Sequence, residues 1–309
     1  MKKILSIALA LALMVGMCLS ATSCKKNDNY TVGVCQLMAH PSLDQATQGF
    51  KDALSAKMTE AGKSVTIDVQ VAGDTNNCPT VIGTFTAKGV DLIMANATPA
   101  LLAAANATAT IPVLGTSVTD FASTFGGTVP SNVSGMSDAV PFADQAQMMI
   151  DTLALVSGDQ VGVIYCSDES NSKIQYDAVK ELFNAKGITV VPYTFSETTE
   201  LQAVATRAAT ECKAIYVPSD NTVAANDSVV GDICSANQTP LYTSYGGDYC
   251  YASLAIDYYE LGYQTGLMAA QILLEGKDVS DIEIGTITPT TQYNKALCDA
   301  LGITIPAGN

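Results

Sequence analysis

Short runs of β-branched and aliphatic residues alternate along this chain with stretches in which apolar positions recur every three or four residues. The runs at 31–37, 65–71, 91–95 and 111–114 read as strands, and a second series follows at 161–165, 188–193, 214–217 and 241–243. After the first strand, Leu43, Thr47, Phe50, Leu54 and Met58 fall at helical spacing and stop at Gly62. Strand–helix alternation predicts βαβ units and a parallel sheet.

The two series repeat one another. Val32-Gly33-Val34 matches Val161-Gly162-Val163, and Lys51-Asp52-Ala53-Leu54 with Ala61-Gly62 resembles Lys180-Glu181-Leu182-Phe183 with Lys186-Gly187. The segment DLIMANATPALLAAANAT has the layout of AIYVPSDNTVAANDSVVG, and Ile111-Pro112-Val113 answers Thr239-Pro240-Leu241. The fold class this predicts is α/β: two similar lobes, each an open parallel sheet flanked by helices, joined by a hinge. Ligands of such sheets sit outside the carboxyl ends of the strands, so two facing lobes bring their loops around one cleft. Those loops are 36–42, 96–99, 167–172 and 219–221, with 115–120 and 243–247 nearby.

One loop stands out. CSDESNS, residues 166–172, places seven small or polar side chains between a buried strand and a helix running through Tyr176, Val179 and Phe183. Ser170, Asn171 and Ser172 fall at the helix start, where unpaired N–H groups are capped by side chains or hold an anion such as a carboxylate. Ser219-Asp220-Asn221 repeats the arrangement after Ile215-Tyr216-Val217, and Asp220 offers an acceptor for an ammonium group. Ala97-Thr98-Pro99 adds a hydroxyl and a helix-starting proline in the first half. A carboxylate pocket and an ammonium acceptor together point to an amino acid.

Composition narrows the function. The chain has 15 Lys and Arg against 30 Asp and Glu, a formal charge of −15. Nucleic acid is excluded as a partner, since its phosphates need a basic footprint. His40 is the one histidine, no metal-ligand spacing occurs, and no cofactor is implied. Nucleophile-elbow, Walker and dinucleotide fingerprints are absent, so the chain is read as no enzyme. His40 lies opposite Glu169 in the internal repeat, and both a solvated loop position before Pro41 and a cleft position are open to it.

The N-terminus reads as a leader. Met1-Lys2-Lys3 is basic, 4–19 is apolar but short for a membrane span, and Ala21-Thr22-Ser23-Cys24 resembles a bacterial lipobox. Cys24 is then the lipid attachment site, followed by a polar tether. Cys35, Cys78, Cys166, Cys212, Cys234, Cys250 and Cys298 remain in the body without a C-x-x-C pair, and one disulfide among them is left open.

The segments VGVCQLMAHPSLDQATQGFKDAL, DLIMANATPAL, IPVLGTSVTD, VGVIYCSDESNS, AIYVPSDNTV, AIDYYELGYQTGLMAAQIL and LGITIP, in this order over 30–306, resemble the ABC-transporter substrate-binding lipoproteins of the TrpX-like, tryptophan or aromatic amino-acid type. The resemblance implies a type I periplasmic-binding-protein fold closing by hinge motion, an extracytoplasmic, lipid-anchored monomer, and delivery to a permease with an ATPase subunit. It places Glu169, Asn171, Ser172, Asp220 and Asn221 in the second lobe's cleft, and Thr98 and 116–120 in the first. With Gln36, Thr116 and Asp257 these form the expected ligand-binding set.

The expected division is a leader 1–23, a tether 24–30, one lobe from 31–137 with 258–281, and the other from 138–257 with 282–309. The expected hinges lie near 132–141, 253–257 and 278–284. The segments 250–255 and 75–79 depart from the family pattern and bear on ligand identity. Tyr165, Tyr242, Tyr245, Tyr249, Tyr251, Tyr258 and Tyr259 are candidate walls for an aromatic ligand. A sugar or nucleoside receptor is the alternative, disfavoured because Arg207 is the sole arginine. A sensor serving a signalling partner uses the same closure.

Overall fold

A computed structural model describes residues 28–306. The leader, Cys24 and most of the tether lie outside the described residues. The first lobe begins with strand β1 (Asn29–Gln36), helix α1 (Pro41–Glu60), β2 (Ser64–Val71), α2 (Cys78–Lys88), β3 (Leu92–Asn96), α3 (Thr98–Ala107), β4 (Val113–Val118), the short α4 (Phe121–Thr124) and β5 (Val133–Ser137). The second repeats the order with α5 (Phe142–Thr152), β6 (Gln160–Cys166), α6 (Ser170–Asn184), β7 (Thr189–Phe195), α7 (Leu201–Glu211), β8 (Ala214–Val217), α8 (Asn221–Ala224), α9 (Asp227–Asn237), β9 (Leu241–Thr243) and β10 (Ala252–Ala255). The chain then returns to the first lobe through α10 (Tyr258–Ala270) and β11 (Gly285–Thr286), and ends in the second with β12 (Thr290–Tyr293) and α11 (Lys295–Leu301).

The first sheet has the order β11-β5-β4-β3-β1-β2 and the second β12-β10-β9-β8-β6-β7. Strand for strand these are the same sheet, as the internal repeat predicts. The copies differ at one edge, where β11 runs parallel to β5 and β12 antiparallel to β10. The matched glycines of the repeat serve matched packing. A Cβ on Gly33 would stand 2.5 Å from the Phe85 ring, and one on Gly162 would stand 2.9 Å from Ile215.

Local sequence explains the longest helix. Pro41 opens α1, Asp44 sits in its first turn and Lys57 in its last, matching the helix dipole. Leu43, Ala46, Thr47, Phe50, Ala53, Leu54 and Met58 are its buried stripe. Burying a side chain such as Phe50 contributes about 1.5–3 kcal/mol. The second face of α1 meets α10 backbone to backbone, because Gly49 and Gly262 carry no Cβ: one added at 262 would lie 1.9 Å from Ala46 O, and one at 49 would lie 2.1 Å from Tyr259 O. This contact holds the start of α10 beside the start of α1. Helix α10 changes character at Ala270, continuing as a π-turn over Gln271–Glu275 that ends at Gly276.

Three connections cross between the sheets: residues 138–141, 256–257 and 287–289. The first two fall within the expected hinge segments. The third lies later than 278–284, and the segment 282–286 is not in the second lobe as expected. Thr286 pairs with Ser137, and Ser134 Oγ donates to Ile282 O at 2.6 Å, so this stretch is stitched into the first sheet. Among the described residues no helix is long and apolar enough to cross a membrane.

Candidate functional site

The loops at the carboxyl ends of both sheets meet in a cleft with two chambers. The outer chamber, about 490 Å³, is walled by Pro41, Tyr245, Ile256 and Tyr258 with Gln45, Asp227, Asp257 and Gln292 among its polar lining. The inner one, about 10 Å³, lies between His40, Ser117, Asp138, Ser219, Asp220 and Asn221. Tyr245 and Tyr258 belong to both. The outer volume suits a small organic ligand; the inner has room for a group the size of one water molecule. Among the described residues no lysine or arginine lines either chamber.

The second lobe supplies a pair of buried acids. Glu169 is 1% exposed and flanks α6. Its Oε1 accepts from Thr222 N and Thr222 Oγ1, both at 2.8 Å, and its Oε2 from Asn221 N at 2.9 Å and Asn221 Nδ2 at 2.6 Å. It therefore caps the neighbouring α8 rather than its own helix. Asp220, also 1% exposed, reaches back: its Oδ1 accepts from Val223 N, and its Oδ2 from Cys166 N and Ser172 Oγ, all at 2.8 Å. Burial and the Glu169 carboxylate beside it push Asp220 up to about 8. Asn171 Nδ2 donates to Ser219 O at 2.7 Å. Asn171 and Ser172, expected to present a carboxylate pocket at the helix start, thus turn inward and brace the loop that carries Asp220.

The first lobe supplies different groups from those expected. Gln36 donates to Met38 O and Asp44 Oδ1 and accepts from Thr47 Oγ1, so its amide is committed to the start of α1. Thr116 accepts from Thr265 Oγ1 at 3.1 Å and faces α10. Neither lines a chamber. Thr98 is buried at the start of α3, with its hydroxyl unpartnered, away from both chambers. Asp257 is exposed, accepts from Glu260 N at 3.0 Å as the cap of α10, and borders the outer chamber.

Ser117, inside the expected segment 116–120, and Asp138, which sequence reasoning missed, are the first lobe's polar groups at the inner chamber. The register between β4 and β5 shifts between Gly115 and Val118, and Ser117 lies in that irregularity with φ +56°, a left-handed conformation rare for serine. Ser117 lines the inner chamber, and its hydroxyl is buried without a hydrogen-bond partner. Asp138 is the first residue of the first crossover, 6% exposed, and its Oδ2 accepts from Tyr258 OH at 3.1 Å. Burial pushes its carboxyl up to about 6, against the Tyr258 and Thr119 hydroxyls. The signal available in the sequence was its place in the expected hinge, which carries no information about where its side chain points.

His40 sits in the cleft, 6% exposed, with Nε2 3.4 Å from Asn221 Oδ1 of the other lobe. Burial lowers its pKa, against the Asn221 contact. A second bond between the lobes runs from Gln175 Nε2 to Thr119 Oγ1 at 3.2 Å. Of the candidate tyrosines only Tyr245 and Tyr258 line the chambers. Tyr242 and Tyr251 are core residues, Tyr242 stacking on Tyr216, while Tyr165 stacks on Tyr176 and Tyr259 bonds Asp52 outside.

A family model described as ABC transporter substrate binding protein matches residues 31–308. The chain is 34% identical over 316 residues to a tyrosine-binding protein of Clostridioides difficile (strain R20291), covering 94% of this chain and 89% of that one. Among solved structures, an ABC domain in complex with L-Trp from Streptococcus pneumonia superimposes with a TM-score of 0.81 at 32% identity, over 89% of this chain and 96% of that one. The ligand-free, open structure of a substrate binding protein with adhesive properties from Clostridium difficile gives a TM-score of 0.65 at 33% identity, over 90% and 97%. At nearly equal identity, the lobes described above match the L-Trp complex better than the open form.

Proposed function

Because the chain belongs to the family of ABC transporter substrate binding proteins, we propose that it is an extracytoplasmic receptor that captures an amino acid, with an aromatic side chain, between its lobes for an ABC permease. The observation that carries this reading is the cleft itself: acidic groups without a cation at its inner end, and an outer chamber walled by Tyr245 and Tyr258. An α-ammonium supplies the missing positive charge, and an aromatic ring fits between apolar and tyrosine walls. The relatives that bind tyrosine and hold L-Trp support the same ligand class.

The mechanism is capture and closure, with no chemistry on the ligand. The lobes turn about the three crossovers, and His40–Asn221 and Gln175–Thr119 form as the cleft shuts. The protein acts as a monomer tethered through a lipid on Cys24, with 1–23 removed as a leader. Cys24→Ala should move it from the membrane fraction to the soluble one; retention at the membrane would remove the anchor. The ligand reading is tested by thermal shift on a soluble form starting after Cys24. L-Tyr, L-Trp or L-Phe should raise the unfolding temperature, since ligand bound only by the folded state stabilises it. A shift with sugars or nucleosides and none with amino acids would overturn the reading.

A further inference from the structure

Four buried or half-buried carboxylates stand around the cleft, and they differ in which oxygens are engaged. Glu169 and Asp220 have both oxygens engaged by donors of the second lobe. Asp227, at the start of α9, accepts from Tyr245 OH at 2.9 Å. Asp138 differs: its Oδ2 is held by Tyr258 and the Thr119 hydroxyl lies beside its carboxyl, while its Oδ1 is a buried atom that no hydrogen bond reaches. Two other residues of the same inner chamber also carry an orphaned buried atom, Ser117 its Oγ and His40 its Nδ1. Buried polar atoms are almost always paired, so three orphans around one water-sized space indicate a group that belongs there.

The chemistry of that group follows from what the three atoms can do. Asn221 donates its Nδ2 hydrogen to Glu169, which leaves its Oδ1 as an acceptor towards His40. The His40 ring, kept neutral by burial, therefore carries its hydrogen on Nε2 and presents Nδ1 as a lone pair. Asp138 Oδ1 is a charged acceptor and Ser117 Oγ a neutral one. Three acceptors facing one small space are complementary to a primary ammonium with its three N–H donors. A carboxylate, an acceptor only, would meet lone pairs on Asp138 and His40.

We propose that the inner chamber is the ammonium subsite, with Asp138 Oδ1 as its charged acceptor and Ser117 Oγ and His40 Nδ1 as the neutral ones. This rests on the amino-acid reading above and replaces Asp220 as the primary contact for the amine. Asp220 becomes a positioning residue that orders the 219–221 loop. Asp138 opens a crossover, so the ligand's amine is gripped at the hinge itself. Asp138 Oδ2 is bonded to Tyr258, the first residue of α10 after the second crossover, which couples two hinge strands to the occupied site.

The test uses calorimetry with L-Tyr, L-Trp and their des-amino analogues, 3-(4-hydroxyphenyl)propionate and indole-3-propionate. Asp138→Asn should weaken the amino acid roughly 30-fold or more, the effect of unpairing a buried charged contact, and change the des-amino analogue less than about threefold. Ser117→Ala should weaken the amino acid about three- to tenfold and spare the analogue. Equal losses for both ligands, or no loss for either, would overturn the assignment. If Asp138→Asn does not fold, Ser117→Ala decides alone by the same contrast. A wild-type protein that binds neither L-Tyr nor L-Trp would refute the aromatic amino-acid reading itself. Binding to the wild type with unaffected variants would refute only the subsite.

Discussion

Gln175 Nε2, on α6 of the second lobe, donates to Thr119 Oγ1 of the first lobe across 3.2 Å, while Gln175 Oε1 accepts from Ser219 N at 3.0 Å. One amide thus joins the two lobes and holds the loop in front of Asp220. Thr119→Val removes the interlobe bond and leaves the loop bond in place. A net contribution of about 0.5–1.5 kcal/mol predicts a roughly two- to tenfold loss of amino-acid affinity. Small-angle scattering of the ligand-free variant should show a larger radius of gyration. An unchanged affinity and radius would mean that the bond does not hold the lobes closed.

Asp220 makes the ligand-free protein sensitive to alkali. Its carboxyl is raised from 3.8 to about 8, so the folded state holds the proton more tightly than the unfolded chain. That contribution is fully present below pH 4 and is lost as the pH rises to about 8, at up to about 1.4 kcal/mol per pH unit. Asp138 shifts in the same direction, and His40, whose pKa is lowered, in the opposite one. Comparison with Asp220→Asn isolates the first group. The unfolding temperature of the wild type should fall relative to that of the variant between pH 4 and pH 8, and parallel profiles would count against the shift.

The α1–α10 contact tolerates no side chain at Gly262. A methyl there would press on Ala46 O, a backbone atom that cannot rotate away. Gly262→Ala should destabilise the fold by at least about 1–3 kcal/mol, lowering the urea midpoint with little change of slope. Because Tyr258 lies one turn earlier on α10, the surviving folded protein should also bind its amino acid more weakly. Wild-type stability in this variant would contradict the packing described.

All seven body cysteines are free and buried. Cys35 and Cys78 share a core cluster, and a hydrogen bond to Cys78 together with burial holds the Cys35 thiol well above its usual range. A soluble form lacking Cys24 should give no reaction with a thiol reagent when folded, and titrate as seven thiols in guanidinium. A count two short after denaturation would reveal a disulfide, for which Cys35 and Cys78 are the neighbours in place.

The duplicated sheet was legible because periodicity reports burial: strands such as β3 and β8 are buried along their whole length, and buried strands read as apolar runs. The weaker strands were not. β5 is VSGMS and β10 is ASLA, small residues whose strand character comes from pairing with neighbours already in place. β11 has two residues, and nothing in Gly285-Thr286 announces that it closes the first sheet. This is why the expected lobe boundary at 281/282 came too early.

Within the site, the sequence singled out the second lobe's loops because Ser, Asp and Asn cluster visibly at helix starts there. It could not say which oxygens those side chains would exhaust. Glu169 and Asp220 cap and brace one another's loops, a trade made over 52 and 54 residues of sequence separation. Asp138 looked like one acid among thirty, and its free oxygen exists only because Tyr258 takes the other.

Sequence alone determined the architecture: two copies of one α/β plan, acidic, with polar loops at matching strand ends, since hydrophobic periodicity and repetition are local properties of the chain. Tertiary structure alone decided which polar groups are used up and which are left facing the cleft. Hydrogen-bond satisfaction depends on atoms brought together from both lobes and the hinge, and no stretch of sequence contains that information.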